Sequence, residues 1–216
     1  MPAAGTSRTL RLQGGVGDVE VVVDAPAGRA RGLALVAHPQ PLLGGSAQHK
    51  VPHILARGLQ ATGWLVARPN FRGVGGSAGV HDEGEGETDD LLALLPQLQD
   101  GRSLPVALVG FSFGAFVQAR VARRLADAGT PPESVVLAGF PVGEVLGGKV
   151  YQPPALVPCT LLVHGEADER VPLANLLAWC RPSRQPVVVL PGTDHYFTGR
   201  LPVLRSLVVR HLEAGA

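Results

Sequence analysis

The feature that most restricts the fold is an alternation, repeated along most of the chain, of short apolar runs with segments whose apolar residues recur at helical spacing. Leu33-Ala34-Leu35-Val36-Ala37, Trp64-Leu65-Val66-Ala67, Val106-Ala107-Leu108-Val109, Val135 to Ala138, Thr160 to Val163 and Val187 to Leu190 are too short for helices. They are nearly free of polar residues, as strands buried on both faces must be. Such alternation predicts a mainly parallel sheet with helices on both faces. Two earlier segments, Thr9 to Leu12 and Gly17 to Val23, partly alternate apolar and polar residues, which predicts an antiparallel pair at one edge of the sheet. Helices are expected around Ile54, Leu55 and Leu59 with Pro52 in the first turn, from Ala115 onwards, and from near Pro202, the last burying Val203, Leu204, Leu207, Val208 and Leu212. A chain of 216 residues without repeat or linker suits one α/β domain over 1–216.

In an open α/β sheet, ligands bind beyond the carboxyl ends of the strands, so the residues just after each run carry the functional information. The run ending at Val109 leads into Gly110-Phe111-Ser112-Phe113-Gly114 and then a helical pattern. Glycines two residues either side of a serine fit a strand that reverses directly into a helix, where neighbouring backbone comes too close for a side chain. The serine hydroxyl is left at the tip of the turn. Serine is a weak nucleophile at neutral pH and needs a base within hydrogen-bond reach and a carboxylate to orient that base.

His195, in the loop Gly192-Thr193-Asp194-His195 after the last strand, can swing over the sheet toward Ser112. His38, His81 and His164 also lie on that side of the sheet, but His38 and His164 end strands and are expected to orient loops through hydrogen bonds, whereas His49, His53 and His211 read as helix-surface residues. For the carboxylate, Asp168 follows the strand ending at Val163, with Glu166 and Asp194 as competitors. Asp194 adjoins His195 in sequence and is poorly placed to grip the far ring nitrogen, and Glu166 sits close to the strand end, so Asp168 is preferred. A tetrahedral intermediate needs two amide donors for its oxyanion. The Phe113 amide, at the start of a helix, supplies the first. The second belongs to the loop after Ala37, where Pro39 and Pro41 lack an amide hydrogen, leaving Gln40 as the donor with Leu42 in reserve.

Other readings are weaker. Gly73-Val74-Gly75-Gly76-Ser77-Ala78 matches a dinucleotide fingerprint, but no helical pattern begins after it and it is not the first strand-helix turn, so a turn shaping the pocket is favoured. The acidic run Asp82 to Asp90 lacks calcium-loop spacing and precedes Leu91-Leu92-Ala93-Leu94-Leu95, which suits the amino end of a helix. Cys159 and Cys180 have no close-spaced partner and are assigned no chemistry. A net charge of +1 without a basic block gives no surface for nucleic acid or an anionic membrane. Met1 to Arg8 lacks the apolar core of a signal peptide, so a cytoplasmic monomer or small homo-oligomer with a small-molecule substrate is expected.

Taken together, the His38-Pro39 loop with Gly44-Gly45, Asn70-Phe71-Arg72-Gly73-Val74-Gly75-Gly76-Ser77, the serine turn and the Asp168/His195 pair resemble the α/β-hydrolase superfamily, and within it small bacterial serine hydrolases without a large cap. The resemblance covers most of residues 33 to 197. It implies an α/β-hydrolase fold, a Ser112–Asp168–His195 triad, hydrolysis of carboxylic esters through an acyl-serine, and no cofactor or metal. Thioesters and peptides are alternatives on the same triad, and a non-catalytic ligand-binding protein on that fold is a third. His38-Pro39-Gln40 departs from the His-Gly-Gly-Gly oxyanion loop of some lipases and esterases. The connection Pro141 to Pro158, where large caps are often inserted, is short and rich in glycine and proline. An open pocket for short or medium acyl chains is therefore expected, lined by Phe111, Phe113, Phe140, Val142 and Tyr151, with Leu42 alongside.

Overall fold

The computed structural model describes residues 5–214; Met1 to Ala4, part of the stretch read above for targeting, and the last two residues lie outside the described residues. The chain runs through β1 (Thr6–Gln13), β2 (Asp18–Ala25), β3 (Gly32–Ala37), α1 (Lys50–Ala61), β4 (Trp64–Pro69), α2 (Glu85–Gln99), β5 (Val106–Phe111) and α3 (Phe113–Asp127). It continues with β6 (Ser134–Ala138), β7 (Gly143–Glu144), β8 (Val150–Tyr151), β9 (Thr160–Gly165), α4 (Leu173–Cys180), β10 (Val187–Leu190) and α5 (Leu201–Ala214). Eight strands form one sheet in the order β1-β2-β4-β3-β5-β6-β9-β10. The β1–β2 and β2–β4 pairs are antiparallel and all pairs from β4 to β10 are parallel. This is the mainly parallel sheet with an antiparallel amino-terminal edge that the apolar runs predict. Among the described residues no helix is long and apolar enough to cross a membrane.

The strand pleat divides each apolar run between two cores. Leu33, Leu35 and Ala37 face α2, α3 and α4, packing with Leu91, Leu94, Val117 and Leu176. Ala34 and Val36 face α1 and α5, packing with Val51, Leu55, Leu204 and Val208. In α5 the expected Leu204, Val208 and Leu212 are buried, but Val203 lies 42% exposed, because its position is turned off the buried stripe. The helix after the serine turn begins at Phe113 rather than Ala115, since Ser112 itself is the residue at which the strand turns into it.

The acidic run starts α2. The Glu87 carboxylate accepts the amides of Asp82 (2.9 Å) and Gly84 (2.9 Å), satisfying donors that a helix start leaves unpaired. The glycine-rich segment after β4 is a turn whose first three residues brace two neighbouring loops and helix α2. Asn70 Oδ1 accepts from the Ala47 amide (2.8 Å), the Phe71 amide donates to His38 Nε2 (2.9 Å), and Arg72 Nε donates to Asp90 (2.6 Å). Between β6 and β9 the only strands are the two-residue β7 and β8, a hairpin that periodicity could not reveal at this length.

Candidate active site

Ser112 occupies the turn between β5 and α3 with φ 55° and ψ −124°, a conformation that L residues rarely adopt. Two glycines make it possible. A Cβ on Gly110 would lie 2.4 Å from the Gly114 carbonyl oxygen, and one on Gly114 would lie 2.4 Å from the Ala37 carbonyl oxygen and 2.5 Å from that of His38. Phe111 and Phe113 anchor the turn on opposite faces of the sheet, Phe111 in the α1/α5 core and Phe113 in the α2/α3 core.

His195 reaches Ser112 from the loop after β10. The Ser112 Oγ–H donates to His195 Nε2 (3.0 Å), and His195 Nδ1–H donates to Asp168 Oδ2 (2.7 Å). A carboxylate only accepts, so Nδ1 carries the ring proton and Nε2 is left free to receive one. Asp168 Oδ1 accepts from the amides of Arg170 (3.0 Å) and Val171 (2.8 Å), which fixes the carboxylate in its loop. The competing acids are engaged elsewhere: Glu166 accepts from the Gly192 amide (2.8 Å) and Asp194 from the Thr198 amide (2.9 Å).

His38 and His164 hold loops. His38 Nδ1–H donates to the Pro39 carbonyl (2.7 Å) while Nε2 accepts from Phe71, so only the neutral ring satisfies both partners. Burial drives its pKa down to about 3. Between that value and the ordinary 6.5 the unfolded chain binds a proton that the folded chain does not, so stability is lost as pH falls from 6.5 toward 3. The expected slope from this one ring is about 1.4 kcal/mol per pH unit. His38→Gln, which retains an acceptor without titrating, should flatten this limb in urea unfolding measured from pH 4 to 7. His164 Nε2–H donates to the Val171 carbonyl (2.9 Å) and lies 3.4 Å from Asp168 Oδ2, and its pKa is also lowered by burial.

A cleft of about 270 Å³ opens beside Ser112 and His195. Gln40, Leu42 and Tyr151 line it, joined by Leu43, Val145 and Leu146. Phe111, Phe113, Phe140 and Val142, expected as lining, are instead core side chains, at 0%, 0%, 0% and 5% exposure. Their side chains point from a strand end, the start of α3 and a loop into space that neighbouring elements cover, as where Phe140 packs edge-on against Trp179. Leu42 is 71% exposed at the rim. Burial pushes the Tyr151 hydroxyl up to about 12, and it accepts a long hydrogen bond from Gln40 Nε2 (3.4 Å). Among the described residues, neither the Phe113 nor the Gln40 amide hydrogen bonds elsewhere in the chain.

The structure also brings to the cleft residues that the sequence reading assigned no role there. His49, read as a helix-surface residue, is half-buried at the start of α1, stacks on Phe111 with ring centroids 5.6 Å apart and lines the cleft. Burial lowers its pKa, assisted by Lys50 and His195. Glu83, Lys149, Arg170 and Tyr196 also line the cleft. Arg170, two residues beyond Asp168, and Tyr196, directly after His195, carried a positional signal in the sequence; Glu83 and Lys149 did not.

This arrangement can remove a proton from a serine hydroxyl and hold the resulting imidazolium against a carboxylate. No family model matches the chain. It is 30% identical to the uncharacterized protein RP471 of Rickettsia prowazekii, with 82% of each chain covered. Among solved structures it is similar to XC6422 from Xanthomonas campestris, an α/β serine hydrolase without a lid, at 35% identity over 99% of this chain and 96% of that one, with a TM-score of 0.82. An α/β serine hydrolase homologue from Coxiella burnetii shares 34% identity over 95% of this chain and 97% of that one, with a TM-score of 0.79. With the serine turn and the sheet order, these likenesses over nearly whole chains mean that the protein belongs to the α/β serine hydrolases without a lid.

Proposed function

We propose that the protein hydrolyses carboxylic esters of short to medium acyl chains through an acyl-enzyme on Ser112. His195 takes the Ser112 proton as the hydroxyl attacks the ester carbonyl, then gives it to the departing alcohol; water repeats the sequence to release the acid. Asp168 holds the imidazole in the required tautomer and offsets its charge. The amides of Phe113 and Gln40 bind the oxyanion, aided at Phe113 by the start of α3. No metal or organic cofactor enters these steps.

The observation that supports this reading is the continuous line from Ser112 Oγ through His195 to Asp168, at 3.0 and 2.7 Å, opening on a cleft with mostly apolar walls. The chemistry is common to esters and thioesters, and the cleft volume of about 270 Å³ favours modest acyl groups. Folded protein should react with a fluorophosphonate probe at Ser112, as located by peptide mass spectrometry, and turnover of 4-nitrophenyl esters should fall as the chain extends from butyrate to palmitate. Labelling elsewhere, or none, would overturn the nucleophile.

A further inference from the structure

We propose that the cleft selects esters that also carry a carboxylate, with Arg170 as the residue that recognises it; this rests on the esterase reading above. Arg170 lines the cleft together with Ser112 and His195. Its backbone is tied at both polar groups, the amide donating to Asp168 Oδ1 (3.0 Å) and the carbonyl accepting from the Leu146 amide (2.8 Å). The guanidinium lies over the Tyr196 ring, 5.3 Å from its centroid. One face is thereby packed on an aromatic surface, while its N–H edge finds no carboxylate or carbonyl partner among the described residues. Arg72, Arg120 and Arg124, in contrast, each pair with an acid of the 82–90 segment.

The charge of the rest of the wall points the same way. Lys149 pairs with Glu83 and lies over the Phe113 and Tyr151 rings, 5.8 and 5.0 Å from their centroids. That pair is neutral as a unit, and the one carboxylate near Arg170 in the site, Asp168, is taken up by His195 and two backbone amides, so among the charged residues that line the cleft Arg170 is the one without an acid partner. A neutral ester commits its carbonyl to the oxyanion donors and offers a guanidinium no charged acceptor. A carboxylate can take two parallel N–H bonds from it. Because Arg170 shares its loop with Asp168, an anion held there stands in fixed register with His195 and Ser112, so recognition at one end of the substrate positions the carbonyl at the other.

The test compares monoethyl adipate with ethyl hexanoate, which differ in the terminal carboxylate, by titrating released acid for the wild-type protein, Arg170→Gln and Ser112→Ala. The wild type should show kcat/KM about tenfold higher for the half-ester at low ionic strength, a preference that added salt reduces. Arg170→Gln should bring the ratio near one, chiefly through the KM of the half-ester. Ser112-dependent hydrolysis of ethyl hexanoate with no preference for the half-ester overturns this inference and leaves the esterase reading standing, whereas no hydrolysis of either ester overturns both. A preference that survives Arg170→Gln overturns the role of Arg170. Should that variant fold poorly, inhibition of the wild type supplies the answer: adipate should compete with ethyl hexanoate more strongly than hexane-1,6-diol, and equal inhibition counts against the proposal.

Discussion

Replacing Ser112 with alanine is expected to lower kcat/KM for 4-nitrophenyl butyrate by at least about 10⁴-fold, leaving the residual rate that oxyanion donors and binding supply without a nucleophile. The fold should survive, since the Cβ is retained and only the hydrogen bond to His195 Nε2 is lost. Ser112→Gly gives the same inactivity with a different stability. The native φ of 55° and ψ of −124° strain any residue with a Cβ, at a cost of roughly 1–3 kcal/mol. Glycine relieves that strain but adds about 0.5–1 kcal/mol of unfolded-state entropy. The net gain of about 1 kcal/mol should raise Tm by roughly 2–4 °C above Ser112→Ala. Two equally dead variants with ordered melting points would tie the strained backbone to the nucleophile position. Retained turnover in either would remove Ser112 from the mechanism.

The parts of the molecule legible in the sequence are those set by local periodicity. The buried strands announce themselves because both faces are covered, and the residues that follow them must gather at one end of a parallel sheet. Ser112, Asp168 and His195 could thus be chosen from residue type, the glycines around the serine and place after a strand, and the structure brings the three within hydrogen-bond distance. The cleft wall was not legible for a physical reason. Whether Phe140 points into a pocket or into a core depends on loop dihedrals and on which helix lies beside it, neither of which a single sequence encodes locally. The β7–β8 hairpin has too few residues per strand for any period to register. His49 looked like a helix-surface residue because its spacing fits the start of α1, yet it stacks on Phe111 beneath the serine turn. Arg170 was visible as a residue near Asp168, but its unpaired charge becomes meaningful only when Tyr196 and Leu146 are seen around it.

Asp168→Asn tests the orientation of the imidazole, and the surrounding hydrogen bonds dictate how the amide must sit. The Oδ1 position accepts two backbone amides, from Arg170 and Val171, so the asparagine oxygen belongs there and its NH₂ group must take the Oδ2 position. That group faces His195 Nδ1, 2.7 Å away in the native pair, and also lies near His164 Nε2–H, at 3.4 Å. A donor facing Nδ1 drives the ring proton to Nε2, where it meets the Ser112 hydroxyl and can no longer accept its proton. Activity at pH 7 should therefore fall by about 10⁴-fold. Stability should change far less, because both amides on Oδ1 keep their acceptor. Asp168→Ala removes that acceptor as well and leaves the buried Val171 N–H unpaired, at roughly 1–3 kcal/mol, and the part-buried Arg170 N–H with it at a smaller cost. The two substitutions should consequently separate in thermal unfolding while both remain inactive near neutrality. If Asp168→Asn instead kept activity within tenfold of wild type, the carboxylate would be holding its loop rather than the tautomer of His195.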